Sequence, residues 1–156
     1  MKLRAALLGA VAVMGLAPAA FAERGADGEV KLTFPQAVSI MNPYLSGGTK
    51  DIYAASMVLE PLAGLSPEGV LIPKLVTEIP TVENGGVAAD MTSITWKLIP
   101  GLLWSDGTPV TAADAVFTWQ YCTHPEGGCS QATKYEGVAN VEAVDDSTIK
   151  VTFDGP

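Results

Sequence analysis

The sequence predicts an α/β chain built from short strands and short helices, and three observations carry that expectation. Ile94, Trp96 and Leu98 alternate with Thr95 and Lys97, a period of two that sets one apolar face on a core and one polar face in solvent. Thr111 stands three residues before Asp114, at capping-box spacing, ahead of Ala112, Ala115, Val116 and Trp119 at helical intervals. That arrangement opens a helix over about Ala112–Tyr121. Val141 and Ala143 face Ile149, Val151 and Phe153 across Asp145-Asp146-Ser147, the pattern of a closing hairpin.

The remaining elements follow in order. Residues 1–22 read as a secretory leader: Lys2 and Arg4 precede an apolar run from Leu7 to Leu16, and Ala20-Phe21-Ala22 offers a cleavage site. Glu29–Pro35, with Val30, Leu32 and Phe34 on one face, is expected as a first strand that Pro35 stops. A turn-rich loop from Ile40 to Thr49 leads to a short helix over Asp51–Leu59, which the spacing of Ile52, Ala55, Ser56 and Leu59 suits and Pro61 closes. Pro67–Gly69 reads as a hairpin turn between short strands in Leu65–Val76, and Thr81–Asp90 as a loop around Asn84-Gly85-Gly86. Asp106-Gly107 is a turn pair, because glycine accepts positive φ and the aspartate can bond a backbone group just ahead.

Charge and chemistry narrow the function. Loss of 22 of the 156 residues would leave 134, enough for one domain with a core. Seven Lys+Arg then stand against seventeen Asp+Glu, a formal charge of −10. Nucleic acid and anionic membrane surfaces are disfavoured partners, since both need a basic footprint. Cys122 and Cys129 flank a Pro/Gly-rich loop, and in an exported chain they are expected to form a disulfide. Such a bridge stabilises by on the order of 2 kcal/mol. A metal site from Cys122, His124 and Cys129 is the other reading of these residues, but it lacks a fourth ligand and no metal is expected. No nucleophile elbow, zinc-protease helix or phosphate-cradling loop occurs. With His124 as the one histidine, no Ser-His or Cys-His pair is assembled, so no catalytic residue is assigned and no cofactor is expected.

The run from Trp96 to Trp119, Trp-x-Leu-x-x-Gly-x-x-Trp-Ser-Asp-Gly-Thr-Pro-Val-Thr-Ala-x-Asp-x-x-Phe-x-Trp, resembles the signature of the extracellular solute-binding proteins, family 5, that serve peptide and nickel ABC importers. Glu60-Pro61-Leu62 and Pro73-Lys74-Leu75-Val76 agree with the family pattern, Val76 replacing a customary alanine. The resemblance extends from about Val30 to Pro156. It implies a periplasmic-binding-protein-like, two-lobed type II fold, of which residues 23–156 would be the incomplete N-terminal portion, with mixed sheet and short helices. It also implies a non-enzymatic, monomeric periplasmic protein that captures a peptide or similar small solute and delivers it to an ABC permease in the inner membrane. Nickel complexes, haem, sugars and opines are alternative cargoes. An exported interaction or chaperone-like module on the same fold is the alternative function. By the family pattern, Ser46, Gly47, Gly48 and Thr49 border the solute cleft. Gln131, where relatives often carry an aromatic, is the further ligand-facing position, with Tyr135 as a substitute ring.

Overall fold

The computed structural model describes residues 28–29 and 31–156, so the leader expected over residues 1–22 lies outside the described residues, as does Val30. The chain divides between Thr33 and Phe34. On the N-terminal side Glu29 and Lys31 form an exposed ion pair at 3.5 Å. Every regular element described belongs to the unit from Phe34 to Pro156.

The elements are α1 (Thr49–Ala55), β1 (Ala63–Leu65), β2 (Leu71–Pro73), β3 (Ser93–Lys97), α2 (Ala112–Thr123), a 3₁₀ turn (Ala132–Tyr135), β4 (Val138–Asp145) and β5 (Thr148–Phe153). β1 and β2 form a small antiparallel hairpin. Its turn ends on Gly69 at φ +79°, a conformation glycine adopts without a side-chain penalty. The larger sheet has order β3-β5-β4, antiparallel throughout, with β5 in the centre. Val141 faces Val151 and Ala143 faces Ile149, the register the alternation predicts. Ser147 N–H donates to Asp145 Oδ1 at 2.8 Å and tightens the hairpin turn.

Helix α2 lies against β4 and β5. Ala112, Val76, Leu98, Val141 and Ile149 form the buried cluster, with Ala115, Val116, Trp119, Trp96 and Val151 packed on it. The apolar stripe expected on this helix is therefore the stripe that packs. Its start is fixed reciprocally: Thr111 N–H donates to Asp114 Oδ2 at 2.7 Å, and the Asp114 amide returns to Thr111. Such a cap satisfies donors that the first helical turn leaves without partners.

Two expectations need correction. No strand forms among the described residues of Glu29–Pro35. Among the described residues no strand pairs with this segment and Leu32 is 55% exposed, so the alternation has no ladder there to join. Helix α1 begins two residues earlier and ends four residues sooner than the expected Asp51–Leu59. Its buried residues are Asp51, Ala54 and Ala55, while Ser56 and Leu59 are exposed. A buried carboxylate, rather than an apolar stripe, sets the rotation of this helix.

Candidate functional site

Asp51 is 1% exposed, and a bare carboxylate at that depth would be costly. It is instead fully partnered. Ser46 Oγ–H donates to Oδ2 at 2.7 Å, Ser39 N–H to Oδ1 at 2.7 Å, and Lys50 Nζ reaches both oxygens at 2.9 Å. Ile40 N–H adds a longer contact at 3.4 Å, and Lys50 Nζ also bonds Ser39 Oγ. The Ser46 hydroxyl first, then the Ser39 amide and the Lys50 ammonium, hold the Asp51 carboxyl far below the usual carboxylate range. The loop before α1 is thereby tied to the helix at both ends of residues 39–48.

This hub takes up two of the residues that the resemblance singles out, Ser46 and Gly48. Ser46 also accepts from Gly48 N–H at 3.1 Å, Gly48 is the N-cap of α1, and Thr49 is its first residue. Gly47 is exposed with open space around its Cα. Gln131 lies elsewhere: its Nε2 donates to the Pro43 carbonyl at 3.2 Å. The structure thus brings Ser46 and Gly48 together around Asp51, while Gln131 meets the same loop three residues upstream of Ser46.

Between these anchors the loop turns outward. Tyr44 N–H donates to Asn42 Oδ1 at 2.9 Å and Leu45 N–H to the Asn42 carbonyl at 3.1 Å, an Asx-type turn. Asn42, Tyr44 and Leu45 of the loop form one wall of an open cavity of about 480 Å³, and Asp114, Phe117, Thr118 and Tyr121 of α2 form another. Trp104 completes it. The Asp106-Gly107 turn presents that ring: Thr108 N–H bonds Asp106 Oδ1 at 2.9 Å, Gly107 takes φ +86°, and Trp104 N–H bonds the Thr108 carbonyl at 2.8 Å. Asp106 and Asp114 act as turn and cap, as the sequence suggests.

Phe117 and Tyr121 stack across one helical turn, ring centroids 6.5 Å apart and planes 15° from parallel. Phe117 is 69% exposed. Large aromatics held in water beside amide, hydroxyl and carboxylate groups suit a ligand with both apolar and hydrogen-bonding parts. A second open cavity, about 420 Å³, is lined by Pro43, Tyr44, Ile52, Gln131, Lys134 and Tyr135. Burial and the adjacent Tyr44 hydroxyl push the Tyr135 phenol up to about 12, so it stays a neutral donor at ordinary pH. Tyr44 lines both cavities.

The aromatic wall was absent from the sequence-derived candidates. Its signal was available: Phe117 and Tyr121 are four residues apart and both fall off the Ala112-Ala115-Val116-Trp119 stripe, so helical spacing alone turns them away from the core. The expected bridge between Cys122 and Cys129 is formed, and among the described residues no cysteine is free. His124 caps the end of α2 and its Nδ1 accepts from Glu126 N–H at 3.1 Å. Among the described residues no group of three or more His, Cys, Asp or Glu is placed to hold a metal ion.

Comparison with known proteins agrees with this architecture. The glutathione-binding protein GsiB of Escherichia coli O1:K1 / APEC is 26% identical over 146 residues, covering 94% of this chain. The periplasmic oligopeptide-binding protein OppA of Salmonella typhimurium is 31% identical over 104 residues, covering 53%. This chain spans 27% and 19% of the lengths of those two relatives. Among solved structures, Haemophilus influenzae OppA in complex with the peptide RPPGFSPFR superposes with a TM-score of 0.65 at 28% identity, over 74% of this chain and 25% of that one. The unliganded open form of the periplasmic murein tripeptide-binding protein MppA gives 0.64 at 26% identity, over 74% and 24%. The periplasmic-binding-protein-like fold that the resemblance implies thus agrees with the fold of these neighbours. The profile of bacterial extracellular solute-binding proteins, family 5 Middle, matches residues 71–156, and the chain belongs to that family of binding proteins.

Proposed function

We propose that this chain supplies part of the solute site in the periplasmic substrate-binding component of an ABC importer, which captures a peptide or similar small solute and delivers it to an inner-membrane permease. The observation that carries the reading is the open cavity between the Asn42–Leu45 turn and the Phe117-Tyr121 face of α2, with Trp104 at its edge. Apolar area for side chains and polar groups for orientation meet there, the composition small-solute sites require. Relatives named for glutathione and oligopeptides support a peptide-like cargo. In this reading Ser46 and Gly48 hold the wall in place through Asp51, Gly47 and Thr49 lie beside it, Gln131 borders the neighbouring cavity, and the mature protein acts as a monomer.

The test uses the full-length mature protein and follows thermal unfolding with glutathione, di- and oligopeptides, nickel–histidine and opines. A ligand that binds only the native state adds about 2.7 kcal/mol at a hundred times its Kd. A peptide-class shift that Phe117→Ala sharply reduces is expected. A shift with another class would replace the cargo; no shift with any class would favour an exported interaction module; a shift indifferent to Phe117→Ala would refute the cavity assignment.

A further inference from the structure

The segment just beyond the disulfide does something that its position in the sequence does not announce. Cys122 is buried on α2, and the bridge ties Cys129 to it with Cα atoms 4.9 Å apart. The intervening loop has little freedom. Gly127 N–H bonds the His124 carbonyl at 2.9 Å, and a Cβ on Gly127 would stand 2.2 Å from the Tyr121 carbonyl oxygen. Gly128 takes φ +66°. Immediately after the bridge, Ser130 N–H donates to the Tyr44 carbonyl at 2.8 Å and Ser130 Oγ to the same oxygen at 3.1 Å. Gln131 Nε2 donates to the Pro43 carbonyl at 3.2 Å. Three donors from two residues converge on two successive carbonyls more than eighty positions away.

We propose that Ser130 and Gln131 are positioning residues for the Asn42–Leu45 wall, and that the Cys122–Cys129 bridge holds this clamp in register with α2, so that the two walls of the cavity are tied to one another. The inference rests on the reading of that cavity as a solute site. It gives the disulfide a task beyond restricting the unfolded chain: the bond fixes where Ser130 begins, and Ser130 fixes Tyr44. It also gives Gln131 an indirect role, since its amide donor is committed to backbone.

The test compares the oxidised full-length protein with Gln131→Ala, Gln131→Glu, and the paired Cys122→Ser/Cys129→Ser variant. Amide hydrogen exchange is read at Tyr44 and Leu45, whose N–H groups bond Asn42, with Ile149 in the core as the internal reference. Loss of about one net hydrogen bond makes local opening roughly fivefold easier. Exchange at Tyr44 and Leu45 is expected to rise by about that factor in both Gln131 variants while Ile149 stays unchanged, and to rise in the cysteine variant as well, where Ile149 reads the bridge's contribution to global stability. Gln131→Glu separates the clamp from packing, because it keeps the shape and removes the donor. If Gln131→Glu and Gln131→Ala both exchange like the parent at Tyr44, the clamp is wrong, whether or not the cysteine variant folds. Affinity is measured in parallel with glutathione and trialanine as probes. Weaker binding together with faster loop exchange supports the whole proposal; faster exchange with unchanged binding overturns its link to the solute. If neither probe binds the parent protein, the solute reading fails while the exchange comparison still decides the clamp.

Discussion

Ile149→Ala removes the side chain around which the described core is built. Ile149 is 2% exposed, lies on the central strand β5, and packs with Val76, Leu98, Ala112 and Val141. Truncation deletes roughly three methylene-sized groups at about 0.8 kcal/mol each, about 2.4 kcal/mol of transfer free energy. The vacated space adds to this, because helix α2 on one side and the paired strands β3 and β4 on the other are fixed by hydrogen bonds and collapse only partly. The expected cost is therefore about 3 kcal/mol, inside the range of about 2–5 kcal/mol for Ile→Ala in cores. Val144→Ala on β4 is the matched control: that valine is 59% exposed, and its loss should cost about 0.5 kcal/mol or less. Urea unfolding of the full-length mature protein, followed by tryptophan fluorescence, measures both. If the two variants unfold at indistinguishable urea concentrations, the assignment of the core to the α2-facing side of this sheet is wrong.

Asp51→Asn should change the acid dependence of stability. The folded-state pKa of Asp51 lies below its ordinary value of 3.8, so its contribution is fully present above about pH 4 and is lost as pH falls through the acid range below it. The parent protein is expected to weaken more steeply than Asp51→Asn below pH 4, and parallel acid-unfolding curves would refute the hub. At Gly107 the space around the Cα is open, so substitution is opposed by backbone conformation alone, at φ +86°. Gly107→Ala should cost roughly 1–2 kcal/mol and Gly107→Asn less, since asparagine tolerates this region; equal thermal stability of the two variants would show that the turn has another conformation in solution.

Much of this fold is legible wherever the determinant is local. The Thr111-Asp114 cap, the Asp106-Gly107 turn, the packed stripe of α2 and the register of β4 with β5 each depend on residues a few positions apart, and each stands as the pattern predicts. Legibility ends where a distant partner decides the outcome. Asp51 reads as an ordinary first-turn acid, yet Ser39, twelve residues earlier, donates the amide that helps make burial tolerable. Glu29–Pro35 has the alternation of a strand, but alternation specifies a face and cannot supply a neighbour. At the site, the resemblance points to Ser46–Thr49; the structure places Ser46 and Gly48 at the Asp51 hub, and Asn42, Tyr44 and Leu45 of the same loop line a cavity. The role of Gln131 depends on a carbonyl 88 residues away, a relation that no spacing rule encodes.

Tyr44 borders two of the cavities, and its backbone carbonyl is fastened by Ser130. A solute reaching into both spaces would meet the same side chain twice, so a bulky group that displaces Tyr44 in one space alters the room in the other. Preferences at adjoining positions of such a solute would then be correlated, and a ranking built by varying one position at a time would mispredict the combinations.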